Sequence, residues 1–206
     1  MREEIQQQVK EIKQSFRQMM DGATAASMRQ KGLGYKLNWG ATLPRLREKA
    51  EELGKDYDLA VALWKENVRE CKILATMLMP PEKMLPDLAD LWMEQTPTSE
   101  VAEQAAFNLY QHLSFAADKA FQWLSSPDDL PQICGYHVLS RLFVKGNEPT
   151  ERDINEFIDQ ALVALQSQNP ILQKAAMQSL VHFSELGLVY ERLAQSAIRR
   201  IGKDFL

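Results

Sequence analysis

The stretch Asn38–Pro80, NWGATLPRLREKAEELGKDYDLAVALWKENVRECKILATMLMP, decides the fold. It contains three short helical segments in succession, each with apolar residues at i, i+3 and i+4 spacing on one face. Short amphipathic helices are marginal alone and bury their apolar faces only against neighbouring helices. The stretch therefore predicts a stack of helical pairs. The three apolar sets are Leu43, Leu46 and Ala50; Leu59, Ala60, Leu63 and Trp64; and Val68, Cys71, Leu74, Ala75 and Leu78.

The rest of the chain continues this pattern. Nearly every segment has helical periodicity, and none alternates as a strand would over a useful length. Proline and glycine breaks separate roughly ten helices, including one from Pro81 to Met93, and the pairs recur every 35–45 residues or so. This pattern predicts an all-α fold, an α-α superhelix of the armadillo/HEAT-like solenoid class, as a single domain over residues 1–206. A globular helical bundle is the competing architecture.

The composition limits the functional classes. The chain has 206 residues, of which 45% are apolar, enough for a continuous core. Its 28 acidic and 24 basic residues give a net charge of −4. Proteins that bind nucleic acid mainly through its phosphates usually have a positive net charge, so the net charge of this chain argues against general polyanion binding. A local basic face is still compatible with an acidic whole.

The cysteines and the N-terminal segment indicate the compartment. Cys71 and Cys134 lie in apolar helical runs, which predicts buried free thiols and a reducing cytoplasm. The polar start, MREEIQQQVKEIKQ, does not match a secretory signal, and no apolar run approaches the roughly 20 residues that cross a bilayer. We expect a cytoplasmic protein without a membrane partner. Scattered histidines such as His112 and His182 do not suggest a metal site, and no cofactor is expected.

Three elements of the opening stretch resemble a known family. They are Trp39–Arg47 (WGATLPRLR), the pair Leu63-Trp64, and Arg69-Glu70 followed by Ala75. Together they resemble the bacterial DNA alkylation repair family, the AlkD-type alkylpurine DNA glycosylases, and the segment Asn169–Ala175 resembles the part before that family's last repeat. The resemblance implies HEAT-like repeats, a concave basic groove for duplex DNA, and cleavage of the glycosidic bond of positively charged alkylated purines.

The chain departs from the family at the positions that carry chemistry. The family has a Trp followed four residues later by an Asp at the start of a middle helix, and the matching positions here are Glu100 and Gln104. A second lesion-facing Trp corresponds to Gln178, and a conserved Arg falls within Ile133–Gly135, where there is none. If the match to the family pattern is shifted by one residue, Glu103 takes the catalytic position, where a carboxylate suits an oxocarbenium-like transition state.

The predicted site residues fall into two further sets. Glu100, Gln104, His137 and Gln178 are expected to line the groove, although Glu100 and Glu103 also suit the first turn of a helix by charge alone, and His137 also suits a core. The candidates for contact with nucleic acid are Lys36, Arg45, Arg141 and Lys174, of which Lys174 matches a basic groove residue of the family.

Three functions follow from these observations. The first is a DNA-binding HEAT-like family member with weak or no glycosylase activity, whose partner is duplex DNA. The second is a protein-interaction α-solenoid that uses its concave face for a protein partner, which the acidic charge and the missing aromatic residues favour. The third is an active DNA glycosylase that uses Glu103.

Overall fold

The structure, a computed structural model, describes residues 2–202. In that range the chain forms twelve α-helices, compared with the roughly ten expected, and two short 3₁₀ turns. The α-helices are α1 (Arg2–Gln18), α2 (Gly22–Gln30), α3 (Leu43–Leu53), α4 (Tyr57–Trp64), α5 (Arg69–Leu78), α6 (Pro86–Glu94), α7 (Ser99–Asn108), α8 (Ala116–Leu124), α9 (Asp129–Val144), α10 (Glu151–Ala164), α11 (Pro170–Ser184) and α12 (Leu188–Arg200). The chain divides between Ser114 and Phe115 into two compact units.

In the first unit, α4 packs against α5, and α5 lies between α3 and α7. Two contacts define the direction of α5 and α7. Arg69, at the start of α5, binds Glu100 at the start of α7, and Thr76 near the end of α5 binds Asn108 at the end of α7. The partners are 31 and 32 residues apart in the chain. The two helices are therefore parallel, as expected for equivalent helices of successive pairs.

The second unit has the same organisation. Helix α8 packs against α9, α9 against α11, and α11 against α12. Asp129 at the start of α9 accepts a hydrogen bond from Asn169 at the start of α11, and Ser140 binds His182 nearer the ends of these helices. These partners are 40 and 42 residues apart. Helices α9 and α11 are therefore also parallel, and the predicted stacking of helical pairs is confirmed.

The opening stretch forms the centre of the first core. Every residue of α5 except Met77 is buried. The Trp64 and Trp92 rings stack in nearly parallel planes with their centroids 4.1 Å apart. Lys72 Nζ lies 4.2 Å from the centroid of the Trp64 ring, and burial lowers the pKa of Lys72 to about 8. Both tryptophans are buried core residues, and Lys72 makes a cation–π contact with the Trp64 ring.

The predicted helix from Pro81 to Met93 is wrong. Residues Pro81–Lys83 form a 3₁₀ turn, Leu85 is extended, and α6 begins at Pro86. Proline at the first position of a helix is favourable, but within a helix its ring clashes with the preceding turn and it lacks an N–H donor. Pro86 therefore interrupts the predicted helix and is the first residue of α6.

Helices α7, α10 and α11 begin at the N-cap residues Thr98, Thr150 and Asn169. Each of these side chains accepts a hydrogen bond from a backbone N–H in the first turn, and Thr150 forms a capping box with Asp153. No helix within residues 2–202 is both long enough and apolar enough to cross a membrane.

Candidate nucleic-acid interface

The start of α7 contains a buried ion pair, whose acidic member, Glu100, occupies the position where the resemblance implies a Trp. Arg69, which is 1% exposed, donates two hydrogen bonds to the Glu100 carboxylate, at 2.6 and 2.9 Å. Tyr35 donates a further short hydrogen bond to Glu100. Burial acts to raise the pKa of Glu100, but the bonds and charge of Arg69 together with the Tyr35 bond hold it below its ordinary value. Glu100 is thus an ionised, fully engaged carboxylate.

The neighbouring positions of α7 differ strongly in exposure. Gln104, where the resemblance implies an Asp, is buried at 8% exposure, and its Oε1 has no hydrogen-bond partner among residues 2–202. Glu103 is exposed to solvent on the preceding position of the helix. A glutamine side chain has no charge at any pH, so Gln104 offers no anion for an oxocarbenium-like ion. The nearby carboxylate that remains unengaged, Glu103, lies in high-dielectric surroundings, where its electrostatic effect is weak.

The residues that carry the family resemblance form a clamp around a loop. The Glu70 carboxylate, 0% exposed, accepts hydrogen bonds through one oxygen from the backbone N–H groups of Trp39, Gly40 and Ala41, at 3.1, 2.9 and 3.2 Å. Arg69 donates to the Ala41 carbonyl oxygen at 2.8 Å. The Arg69-Glu70 pair therefore fixes the loop that precedes α3 and connects it to α7 through Glu100. Its role in this chain is to position helices.

Two predicted basic contacts belong to this first unit. Lys36 is exposed in the segment that precedes the Leu37–Val68 bridge, and Arg45 is exposed on α3. The pKa of Asp21 is lowered mainly by hydrogen bonds from Thr24, with a smaller contribution from the charge of Arg45. The charge of Arg45 is thus partly balanced by the Asp21 carboxylate.

In the second unit, the parallel pair of α9 and α11 presents a face with little negative charge. Helix α11 has no Asp or Glu, and α9 has only Asp129, at its first position, where it is bound to Asn169. The predicted residues Arg141 and His137 are half-buried on α9, whereas Lys174 and Gln178 are exposed on α11. The neighbouring α10 has four acidic residues, at positions 151, 153, 156 and 159. Helices α9 and α11 thus have one acidic residue between them, compared with four in α10.

Positive charge accumulates at the C-terminal end of α9. Lys145 directly follows the helix, four positions after Arg141. Burial and the like charge of Arg141 lower the pKa of Lys145. The two cations therefore lie close to each other at this end of α9. The sequence alone contained the signal, a basic pair at i and i+4, but Lys145 was not among the predicted site residues.

A histidine lies beside this pair. Ser140 Oγ is 2.6 Å from His182 Nδ1, and His182 is half-buried on α11. In the neutral tautomer that accepts at Nδ1, the proton is on Nε2, which is then a hydrogen-bond donor. The contact fixes the orientation of the ring and the register of α9 against α11. His182 was not predicted, because its neighbour Ser140 is 42 residues away in the chain.

The absence of the family's Arg from Ile133–Gly135 has a physical reason. Ile133 and Cys134 are buried, and a Cβ at Gly135 would lie 2.8 Å from the Ala120 carbonyl oxygen of α8. At this position α8 packs so closely on α9 that only glycine fits. The segment forms a helix–helix contact and has no space for a long cationic side chain.

Successive helical pairs with parallel equivalent helices define a helical-repeat protein. The chain belongs to a family described as DNA alkylation repair enzyme, whose model matches residues 12–188. A solved structure described as a new family of proteins related to the HEAT-like repeat DNA glycosylases with affinity for branched DNA structures is similar to it, with 16% identity and a TM-score of 0.84. The match covers 93% of this chain and 82% of that chain. No curated protein matches the chain. The predicted family and the HEAT-like α-α superhelical fold class are confirmed.

Proposed function

We propose that this protein binds DNA through the face of α9 and α11 and has weak or no glycosylase activity. The observation that carries the proposal is the pairing of two parallel helices that have Arg141, Lys145 and Lys174 but, between 130 and 144 and between 170 and 184, no carboxylate. In a chain with a net charge of −4, this is a local positive face. Phosphate contacts of this kind supply most of the affinity for DNA that is independent of sequence.

Other side chains extend this interface in the proposal. His137, Gln178 and His182 lie on the same two helices and supply hydrogen-bonding groups beside the cations. In the first unit, Lys36 and Arg45 are exposed and are proposed as phosphate contacts of that unit, separate from the interface of α9 and α11. Glu100 and Gln104 are proposed as lining residues without a catalytic role.

The weak or absent glycosylase activity is supported by the start of α7. Gln104 is buried and uncharged, and Glu100 is held by Arg69 and Tyr35. An oxocarbenium-like transition state needs a carboxylate in a preorganised site from which water is excluded. Glu103 is a carboxylate but is exposed to solvent. An active glycosylase that uses Glu103 would therefore need the bound DNA to exclude water from this residue.

Branched DNA is included among the proposed ligands because the structurally similar family has affinity for branched DNA structures. We place the function in the cytoplasm, since Cys71 and Cys134 are both free and buried. The second function predicted from the sequence is binding of a protein partner. Binding experiments with DNA distinguish it from the proposed DNA binding.

The test compares binding of a linear duplex and of a four-way junction at several salt concentrations. Arg141→Gln/Lys174→Gln is expected to weaken binding and to reduce the slope of log K against log salt by about 1.8, because each lost phosphate contact contributes about 0.9. Since Arg141 is half-buried, Lys145→Gln/Lys174→Gln repeats the test with two exposed side chains. The control is Lys10→Gln/Arg17→Gln, which makes the same charge change on exposed positions of α1. Absence of wild-type binding at low salt would refute the proposal and favour a protein partner.

A second assay measures base release from alkylated duplex DNA. We expect the wild type and Glu103→Gln to release methylated purines at the same low rate, close to that of DNA alone. Release by the wild type that Glu103→Gln abolishes, with DNA binding unchanged, would instead establish an active glycosylase with Glu103 as its carboxylate.

A further inference from the structure

Helix α12 has a basic side opposite its buried side. Ala194, Ala197 and Ile198 are buried against the second unit. Arg192 and Arg199, seven positions apart, lie on the opposite side of the helix, and both are exposed. At 1.5 Å per residue their Cα atoms are about 10 Å apart along the helix axis. The two guanidinium groups thus project in the same direction, two turns apart.

These arginines lack acidic partners in the described part of the chain. No Asp or Glu within residues 2–202 forms an ion pair with Arg192, Arg199 or Arg200. The nearest carboxylate along α12, that of Glu191, accepts a hydrogen bond from Gln195. A surface depression is lined by these three arginines together with Gln195 and Ser196. All five side chains carry hydrogen-bond donors, and none carries a negative charge.

The helix dipole alone does not account for this arrangement. Arg199 and Arg200 lie in the last turn of α12, where cations are favourable whatever their function. Arg192 lies in the second turn, far from the negative end of the dipole. Helix α12 also has exposed apolar residues near its start, Leu188, Val189 and Leu193. Because a membrane-surface helix combines cations with such residues, the experiment below includes a lipid surface as an alternative outcome.

We propose that the arginine side of α12, formed by Arg192, Arg199 and Arg200 with Gln195 and Ser196, is a second surface that binds the phosphate backbone of DNA. It is carried by a different helix from the face of α9 and α11, and it rests on the proposed function of DNA binding. Guanidinium groups bind phosphate oxygens through two parallel hydrogen bonds, and Gln195 and Ser196 are neutral donors of the kind that also contact the backbone. This surface does not distinguish between DNA sequences, because it contacts only phosphates.

The experiment measures binding of the full chain to a linear duplex between 50 and 200 mM salt. Arg192→Gln/Arg199→Gln is compared with Lys10→Gln/Arg17→Gln, in which exposed basic residues seven positions apart on α1 are changed in the same way. Loss of two phosphate contacts lowers the salt slope by about 1.8. Over this fourfold range the wild type is then expected to lose about twelve times more affinity than the α12 variant. Arg192→Lys/Arg199→Lys keeps both charges and is expected to keep the slope.

Each other outcome overturns the inference in a distinct way. If wild type binds DNA and the α12 variant binds with an unchanged slope, the α12 surface is not a DNA contact, while the proposed function stands. If the α1 control lowers the slope equally, only the net charge matters. If wild type binds vesicles containing phosphatidylserine but no DNA, and the α12 variant does not bind these vesicles, the surface serves a membrane and both proposals fail.

Discussion

Gly40, in the loop held by Glu70, permits a sharp test of the scaffold. Its φ of +77° is in the left-handed region, and a Cβ on this residue would lie 2.2 Å from the Asp21 carbonyl oxygen. Gly32, in the same unit, has a φ of +80°, but a Cβ at that position would meet nothing within 4 Å. Gly40→Ala and Gly32→Ala therefore share the backbone strain, about 1–2 kcal/mol, and differ in the steric clash.

The clash has nowhere to relax. The Asp21 carbonyl oxygen accepts the Ala25 N–H at 3.0 Å in the first turn of α2, and the Gly40 N–H donates to Glu70 at 2.9 Å. If either backbone segment moves by more than about 1 Å, the donor–acceptor distance of its hydrogen bond exceeds the usual limit and that bond is broken. A neutral hydrogen bond contributes about 0.5–1.5 kcal/mol and a bond to a charged group about 1.5–3 kcal/mol. We therefore expect Gly40→Ala to cost about 3 kcal/mol more than Gly32→Ala.

The assay is urea unfolding followed by circular dichroism, with thermal melts in parallel. For a chain of this size, about 3 kcal/mol corresponds to roughly 6–12 °C in Tm. Because the chain has two compact units, the unfolding curves are first checked for a second transition, which would have to be fitted separately. If the free energies of unfolding of the two variants agree within about 1 kcal/mol, a level set by the error of such comparisons, Gly40 is not in rigid contact with the start of α2.

Three further measurements test the buried groups. Glu100→Gln leaves the buried Arg69 with Glu70, 3.4 Å away, as its remaining anion and should cost about 3 kcal/mol at pH 7, the lower end of the range for a broken buried pair. Because the folded pKa of Glu100 is lowered, its contribution is present above the ordinary value of 4.5 and is lost as the pH falls through the folded pKa, so wild type and variant should converge in acid. Burial lowers the pKa of Lys72 to about 8, so above this pH the unfolded chain binds more protons than the folded chain. The stability of the wild type should therefore rise relative to that of Lys72→Met between about pH 8 and pH 10. A stability difference between the two proteins that does not change with pH would contradict this. Burial raises the pKa of Cys71 to about 12 and that of Cys134 as well, so neither thiol should react with iodoacetamide at about pH 8 unless urea is added.

The sequence predicts much of the scaffold because its signals are local. Apolar spacing of 3.6 residues indicates the helices, and caps such as Thr98 and Asn169 mark their starts. The error at Pro81–Met93 arises because Pro86 is the first residue of its helix and does not lie within one. When several prolines lie close together in the sequence, the apolar periodicity does not indicate which of them is the first residue of the helix.

The candidate site is harder to predict because its contacts connect distant residues. The partner of Arg69 is Glu100, 31 residues away, and the clamp of Glu70 on Gly40 spans 30 residues. Arg69-Glu70 is one of the elements that carry the family resemblance, but the resemblance does not indicate which groups the pair binds. Likewise Arg141 and Lys174 come from separate helices, and the low acidity of their common face is evident only when α9 and α11 are known to be neighbours.

The clamp and the altered catalytic positions are physically connected. Glu100 stands where the family resemblance places a Trp, and in this chain its carboxylate balances the buried charge of Arg69, which in turn binds the loop before α3. Replacing Glu100 by Trp would leave Arg69 buried without an anion other than Glu70, whose bound oxygen is already shared by three N–H groups. Restoring the family's Trp and Asp at positions 100 and 104 would thus destabilise the first unit before it restored any chemistry. A glycosylase site could be rebuilt here only together with a replacement for Arg69, such as a neutral side chain that still donates to the Ala41 carbonyl oxygen.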